Sequence, residues 1–226
     1  GGFISLGKSA PTIIKSFKSA MSGIGAKGGV SQKRTEEDAP ITWVIGAAAI
    51  VFALTLFLPI FKGAGIAGAI LAVVFSFFFG VVSARMVGII GASNNPVSGM
   101  TIATLLFVTG TLKALGKVDQ NAMILAVLIG GIVCVAIAVA GGTAQSLKTT
   151  YIVGGSPRKV QVGMYIGLLL ASVAAAYVLL MLNNTYGMGT KDIPAPQATL
   201  MSMVIKGIMT GVLPWPLVFV GVSIAV

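Results

Sequence analysis

Amide and hydroxyl side chains cluster around one proline within residues 88–106, which read GIIGASNNPVSGMTIATLL. Asn94, Asn95, Ser98 and Thr101 supply neutral hydrogen-bond donors and acceptors. Pro96 breaks a helix here, because proline lacks an N–H and disfavours helical geometry in the residue before it. Polar side chains beside broken backbone form a candidate site for holding and orienting a polar molecule.

The chain contains few residues that could carry out acid–base catalysis or bind a metal ion. It contains no His and only five Asp and Glu residues, and each acid falls in a predicted loop: Glu36, Glu37, Asp38, Asp119 and Asp192. No GxxxxGK[ST] phosphate-binding motif occurs either. We therefore expect a protein that is not an enzyme, with no catalytic residue, no cofactor and no metal site.

Composition indicates that the polar cluster lies in a membrane protein. Of 226 residues, 56% are hydrophobic and 9% are charged, and the mean hydropathy is +1.01, far above that of soluble domains. The net charge of +10 comes mainly from basic residues between the apolar runs. Such residues set orientation in the lipid bilayer, so we expect no nucleic-acid partner.

Apolar runs of about 20 residues predict the elements that position the cluster. The expected fold is an all-α polytopic membrane protein, a bundle of about five or six transmembrane helices that includes one discontinuous helix. Residues 1–40 form a basic cytoplasmic segment, and residues 41–226 form the transmembrane domain. Its spans are predicted at about 41–61, 63–84, 86–112 (the broken helix), 122–140, 162–182 and 213–226 (cut short).

Charge placement predicts the topology. Residues 1–40 and the connector 141–161 are rich in Lys and Arg, so both are expected on the cytoplasmic side. Two segments on the same side must be separated by an even number of crossings, so residues 86–112 are expected to cross the membrane. A re-entrant segment is the alternative. Residues 6–22 fit either an interfacial amphipathic helix or a solvated tail.

The helix restart after Pro96 suggests how the cluster would work. We expect Ser98 to be the N-cap of that helix, whose N-terminus would favour a carboxylate. The alternative is a structural proline kink that neighbouring helices repair. Arg85 either snorkels to the surface or acts as a counter-charge. Gln145 and Lys148 lie in a stretch that forms a gate, a re-entrant loop or a plain cytoplasmic connector.

Four stretches, in order, resemble the oligopeptide transporter (OPT) superfamily, especially its prokaryotic members. They are NNPVSGMTIATLL at 94–106, GGTAQSLKTTYIVGGSPRKVQ at 141–161, PAPQATL at 194–200 and ISLGKSAPTIIKSFKSA at 4–20. Members are much longer than this chain, so the resemblance implies a C-terminal portion whose partner is the remaining N-terminal part of the transporter. The short last span agrees with that expectation.

The resemblance implies a secondary transporter in the prokaryotic inner membrane. Its expected substrate is a small peptide, with a metal–chelate complex (the yellow stripe-like branch) as the alternative and protons as the coupling ion. A channel with an NP-centred half-helix is a further alternative. The implied pathway residues are Asn94, Asn95, Pro96, Ser98, Gly99, Met100 and Thr101.

Overall fold

The computed structural model describes residues 39–61, 63, 65–191, 193–212 and 215–225, together with Pro11, Lys15 and Thr35. The amphipathic segment predicted at 6–22 lies outside the described residues, apart from Pro11 and Lys15. Three of the five acids, Glu36, Glu37 and Asp38, also lie outside them, as does Asp192.

The described ranges form seven α-helices. They are α1 (Ile41–Phe57), α2 (Gly65–Ile90), α3 (Val97–Ala114), α4 (Gln120–Ile152), α5 (Pro157–Tyr186), α6 (Pro196–Thr210) and α7 (Trp215–Ala225). Four segments are long and apolar enough to cross a membrane, namely Gly65–Ile90, Ala92–Ala114, Gln120–Ile152 and Pro157–Tyr186. The predicted all-α membrane fold is confirmed.

Helices α2 and α3 form an antiparallel hairpin. Lys117, just after α3, donates a hydrogen bond from its Nζ to the carbonyl oxygen of Gly63, just before α2. Further along the pair, the rings of Phe75 and Phe107 lie 5.6 Å apart. The break at Asn94–Pro96 is therefore the turn between two antiparallel helices, and α3 runs back along α2.

Both helices of this hairpin pack on α4, where small residues let the helices approach closely. Gly80 of α2 faces Ala140 of α4, and a Cβ at Gly80 would lie 3.6 Å from the Ala140 Cβ. Leu105 of α3 lies over Gly130 of α4 and is 1% exposed. Small residues at helix contacts are typical of membrane proteins, because association there depends on close packing.

Helix ends gather at two opposite ends of the bundle. At one end, the backbone N–H of Ala39 donates to Oε1 of Gln161 over 2.8 Å. At the other end lie Gly63 and Lys117. This grouping agrees with the expectation that 1–40 and 141–161 share a side, although the identity of that side stays a prediction.

Helix α4 extends beyond the predicted span of 122–140 and ends at Ile152. Residues 141–152, expected as part of a connector, are helical, because residues such as Ala144, Gln145 and Leu147 favour a helix. The chain leaves the helix at Gly154, where φ is +71°. Gly155 N–H donates to the Thr150 carbonyl oxygen over 2.8 Å and closes the end of the helix.

Two other helices differ from the sequence-based boundaries. Helix α5 starts at Pro157 rather than near residue 162, with proline in its first turn. Residues 196–210, which contain no predicted span, form α6, whose 15 residues extend only about 22 Å at 1.5 Å per residue. That length is short of a hydrocarbon core of about 30 Å.

Candidate functional site: the polar turn between α2 and α3

The polar turn, residues 91–96, begins where α2 ends at Ile90. Gly91 has φ +86° and ψ 158°, a combination that residues with a Cβ rarely adopt. A single 3-10 turn, Ala92–Asn94, follows, and Pro96 then occupies the N-cap position of α3. A break is present as predicted, with glycine and proline at its two ends. It does not interrupt one helix over 86–112, however: residues 86–90 belong to α2, and the break is the turn between two antiparallel helices.

Asn95 connects this turn to α2. Its side-chain Nδ2 donates to Oγ of Ser83 over 2.8 Å. Ser83 is fully buried and donates its hydroxyl to the carbonyl oxygen of Ile137 over 2.7 Å. Two side chains and one backbone carbonyl thus link the turn, α2 and α4 in one chain of hydrogen bonds.

Gly141 of α4 makes room for this linkage. A Cβ at Gly141 would lie 2.5 Å from Nδ2 of Asn95, 2.9 Å from Oγ of Ser83 and 3.0 Å from Cγ2 of Val87. Real Cβ atoms do not approach other atoms that closely, so a larger residue would displace the side chains of Asn95 and Ser83. Next to it, Gly142 has no heavy atom within 4 Å of the corresponding position.

Gln145 lies one turn further along α4 and binds the turn directly. Its Oε1 accepts a hydrogen bond from the backbone N–H of Ala92 over 3.0 Å. This N–H lies just after the end of α2, so the bond supplies a partner that the broken helix leaves out. Gln145, in the stretch predicted as a gate, a re-entrant loop or a plain connector, therefore contacts the polar turn itself.

One oxygen of the linkage remains unpaired. Asn95 Oδ1 is buried and has no hydrogen-bond partner among the described residues. The neighbouring Asn94 is exposed, and its Nδ2 lies 3.4 Å from the carbonyl oxygen of Ile90. The two asparagines thus differ: Asn95 is held inside and Asn94 faces outward.

The remaining predicted pathway residues divide between the surface and the core. Pro96, Ser98 and Gly99 are exposed. Met100 packs in a buried cluster with Phe79, Val82, Val133 and Ile137. Thr101 is 2% exposed and donates its hydroxyl to the Val97 carbonyl oxygen over 2.8 Å, so the structure does not bring all seven residues to one cavity.

Ser98 is not the N-cap, contrary to the expectation from sequence. Pro96 holds that position and makes no side-chain cap, while Ser98 lies in the first turn of α3. The reason is that proline favours the first positions of a helix, where its missing N–H is not needed. The helix consequently starts closer to the break than predicted.

Two charged residues that the sequence predicted as part of the site take no part in the hydrogen bonds that link Asn95, Ser83 and Ile137. Arg85 is exposed on α2. Lys148 is exposed on α4, with its Nζ 5.8 Å from the ring centroid of Tyr151. Both positions leave these cations on the surface of the described bundle.

Cavities flank α4 near the polar turn. The larger, of about 580 Å³, lies between α1, α4 and α5 and is mostly apolar, with Thr143, Gln161 and Tyr165 as its polar side chains. A groove of about 460 Å³ between α2 and α4 also reaches Thr143. Among the described residues, no group of three or more His, Cys, Asp and Glu side chains could hold a metal ion.

Sequence reasoning missed Ser83 and Gly141, which hold the turn in place. Ser83 is a lone hydroxyl near the end of an apolar run, and Gly141 opens the Gly-Gly pair of the second polar stretch. The sequence did contain one signal for Ser83, a polar residue within an apolar helix that leads to the break. Its partner on α4, however, depends on how the helices pack.

Comparisons with known proteins agree with the earlier resemblance. The family model described as "OPT oligopeptide transporter protein" matches residues 2–226. A curated protein of Haemophilus influenzae, named "Putative oligopeptide transporter", is 30% identical over 173 residues. The match covers 68% of this chain and 27% of that protein, so the chain spans about a quarter of its relative's length.

No solved structure matches the chain. The family model extends over nearly all of the sequence, including the polar turn and the helices that hold it. The chain therefore belongs to the OPT oligopeptide transporter family.

Proposed function

We propose that the intact protein containing this chain is a secondary active transporter of oligopeptides or peptide-like compounds. In this proposal it works by alternating access, and the polar turn contributes to the substrate pathway. The observation that carries the proposal is the buried, unpaired Oδ1 of Asn95 in a broken segment between two membrane-type helices. Native proteins usually satisfy such buried atoms, so an unpaired one supports the binding of another polar group at this place.

The start of α3 offers groups suited to the carboxylate of a peptide. Val97 N–H bonds to the Asn95 carbonyl oxygen over 2.8 Å, and Met100 N–H bonds to the Pro96 carbonyl oxygen over 3.2 Å. The backbone amides of Ser98 and Gly99 come between Val97 and Met100 in the first turn of α3. Both residues are exposed, and the N-cap residue of the helix makes no side-chain hydrogen bond to this turn. Helix N-terminal amides favour negative charge, so they support a role in holding the substrate carboxylate.

Proton coupling is the second part of the proposal. Asp119, just before α4, is the only carboxylate in the described part of the chain, and it lies at the end of the bundle opposite the turn. A titrating carboxylate near the turn would therefore come from outside the described residues. We infer that it lies in other parts of the intact protein, and expect residues 91–96 to serve substrate binding only.

Uptake into vesicles tests this function. The intact transporter is reconstituted and given labelled tri- and tetrapeptides, with and without an inward proton gradient, and with iron chelates as competitors. Gradient-dependent accumulation of peptide supports the proposal. Uptake that only chelates compete for would assign the protein to metal–chelate transport, and peptide flux without accumulation would indicate a channel.

Two variants connect that activity with the turn. Asn95→Ala should lower peptide uptake per mole of inserted protein. Asn184→Ala, which removes an exposed amide near the end of α5, should leave uptake unchanged. Equal activity of both variants and the wild type would contradict a role for the turn in the pathway.

A further inference from the structure

The hydrogen bonds around Ser83 determine which way the Asn95 amide faces. The Ile137 carbonyl oxygen can only accept a hydrogen bond, so the Ser83 hydroxyl must donate its single proton to it. Ser83 Oγ can then only accept from Asn95, and only the NH2 group of the amide can donate. The carbonyl oxygen of the Asn95 side chain is therefore directed away from Ser83.

Gly141 keeps this arrangement close to α4. A side chain there would meet Nδ2 of Asn95 at 2.5 Å and Oγ of Ser83 at 2.9 Å. The two atoms that would clash are the donor and the acceptor of the same hydrogen bond. Gly141 thus leaves the space in which the Asn95 amide reaches Ser83.

The outcome is an acceptor with a defined direction and no partner. Oδ1 of Asn95 is buried and unpaired among the residues that the structure describes. A buried acceptor without a donor is unfavourable, and native proteins usually satisfy such groups. Because the donors of the linkage are already engaged with Ser83 and Ile137, the missing donor has to come from another molecule or segment.

We propose that Ser83 and Gly141 are positioning residues that hold the Asn95 side-chain oxygen ready to accept a hydrogen bond from an N–H group of the transported compound. For a peptide this group is a backbone amide. The inference rests on the proposed function. In the present state the oxygen is closed to solvent, so the donor reaches it after a neighbouring segment moves aside while the Asn95–Ser83 hydrogen bond is kept.

Peptides that are N-methylated at one backbone amide test this inference, because each methyl group removes the only N–H donor of that amide. A labelled tripeptide and the two forms methylated at one of its backbone amides are offered to the reconstituted intact transporter. For the wild type, we expect methylation of one nitrogen to lower kcat/KM for uptake about tenfold, as loss of one hydrogen bond predicts. For Asn95→Ala, that methylation should make no further difference.

The positioning residues are tested with the same series. Ser83→Ala leaves the Asn95 amide free to turn, so the penalty for methylation should fall below about threefold, mainly through KM. Gly141→Ala should reduce it similarly by displacing the side chains of Asn95 and Ser83. Gly142→Ala, whose position has open space, should keep the wild-type penalty.

The failures of the two proposals can be told apart. If the wild type accumulates the parent peptide but Asn95→Ala shows the same methylation penalties as the wild type, this inference is overturned and the transport function stands. If the wild type accumulates no peptide, both are overturned. Asn95→Ala and Ser83→Ala each test the inference independently. If one variant protein fails to insert into the membrane, the other still provides the test.

Discussion

A Cβ placed on Gly130 of α4 would lie 2.5 Å from Cδ2 and 3.0 Å from Cγ of Leu105 on α3. Leu105 is 1% exposed and belongs to the main buried cluster, so its side chain has little room to move aside. The hairpin of α2 and α3 thus packs on α4 through Leu105 and Gly130, away from the polar turn.

Gly130→Ala should destabilise the bundle. Forcing an extra methyl group into a packed core typically costs about 1–3 kcal/mol, and here it acts between α3 and α4. Gly131→Ala is the matched control, since a Cβ at Gly131 would have no heavy atom within 4 Å. Thermal unfolding in detergent measures both, and equal midpoints for the two variants would contradict the packing described.

Gln145→Ala should lower transport with little loss of stability. It removes the acceptor of the Ala92 N–H, a bond at an exposed position worth about 0.5–1.5 kcal/mol. Gln145→Glu keeps an oxygen at this place and should retain most of the uptake. If Glu and Ala at this position behave alike, the hydrogen bond to Ala92 is not what matters.

Ser98→Ala should lower peptide uptake while the amount of folded, inserted protein stays the same. Because Ser98 makes no capping hydrogen bond, its loss should change the free energy of unfolding by no more than about 0.5 kcal/mol. Uptake per mole of inserted transporter separates the two effects. A parallel fall of uptake and folded protein would instead favour a structural role.

Lys113→Met should loosen α6. Lys113 Nζ donates over 2.6 Å to the carbonyl oxygen of Ile208, near the C-terminal end of α6, where a cation is also favoured by the helix dipole. Hydrogen exchange across 196–211 should become faster. Lys206→Met, which removes an exposed cation from the same helix, is the control and should leave exchange unchanged.

Cysteine labelling should place the polar turn and the α4–α5 connector on the same side of the membrane. In a background with Cys134→Ala, Asn94→Cys and Val153→Cys should react with an impermeant reagent from the cytoplasmic side. Val118→Cys, between α3 and α4, should react from the opposite side. All three residues are exposed, and reaction of all three from one side would refute the crossing of α3.

Sequence alone predicted much of this protein, because membrane helices and helix breaks leave local signals. The apolar run within Gly65–Ile90 and the break at Asn94–Pro96 follow from transfer free energies and backbone stereochemistry. The family resemblance at 94–106 and 141–161 was equally visible, and the family match over 2–226 bears it out.

Only the tertiary structure decided which polar residues meet. Ser83, Asn95 and Gly141 are separated along the chain and come together because α2, the turn and α4 pack side by side. Met100 shares the polar stretch but is buried, since helical periodicity places it opposite Ser98, against Val133 and Ile137 of α4. Thr101 is buried as well, although its spacing of three residues puts it near the side of Ser98. Contacts between helices depend on packing geometry that local sequence patterns do not contain, whereas hydropathy and proline act within a few residues.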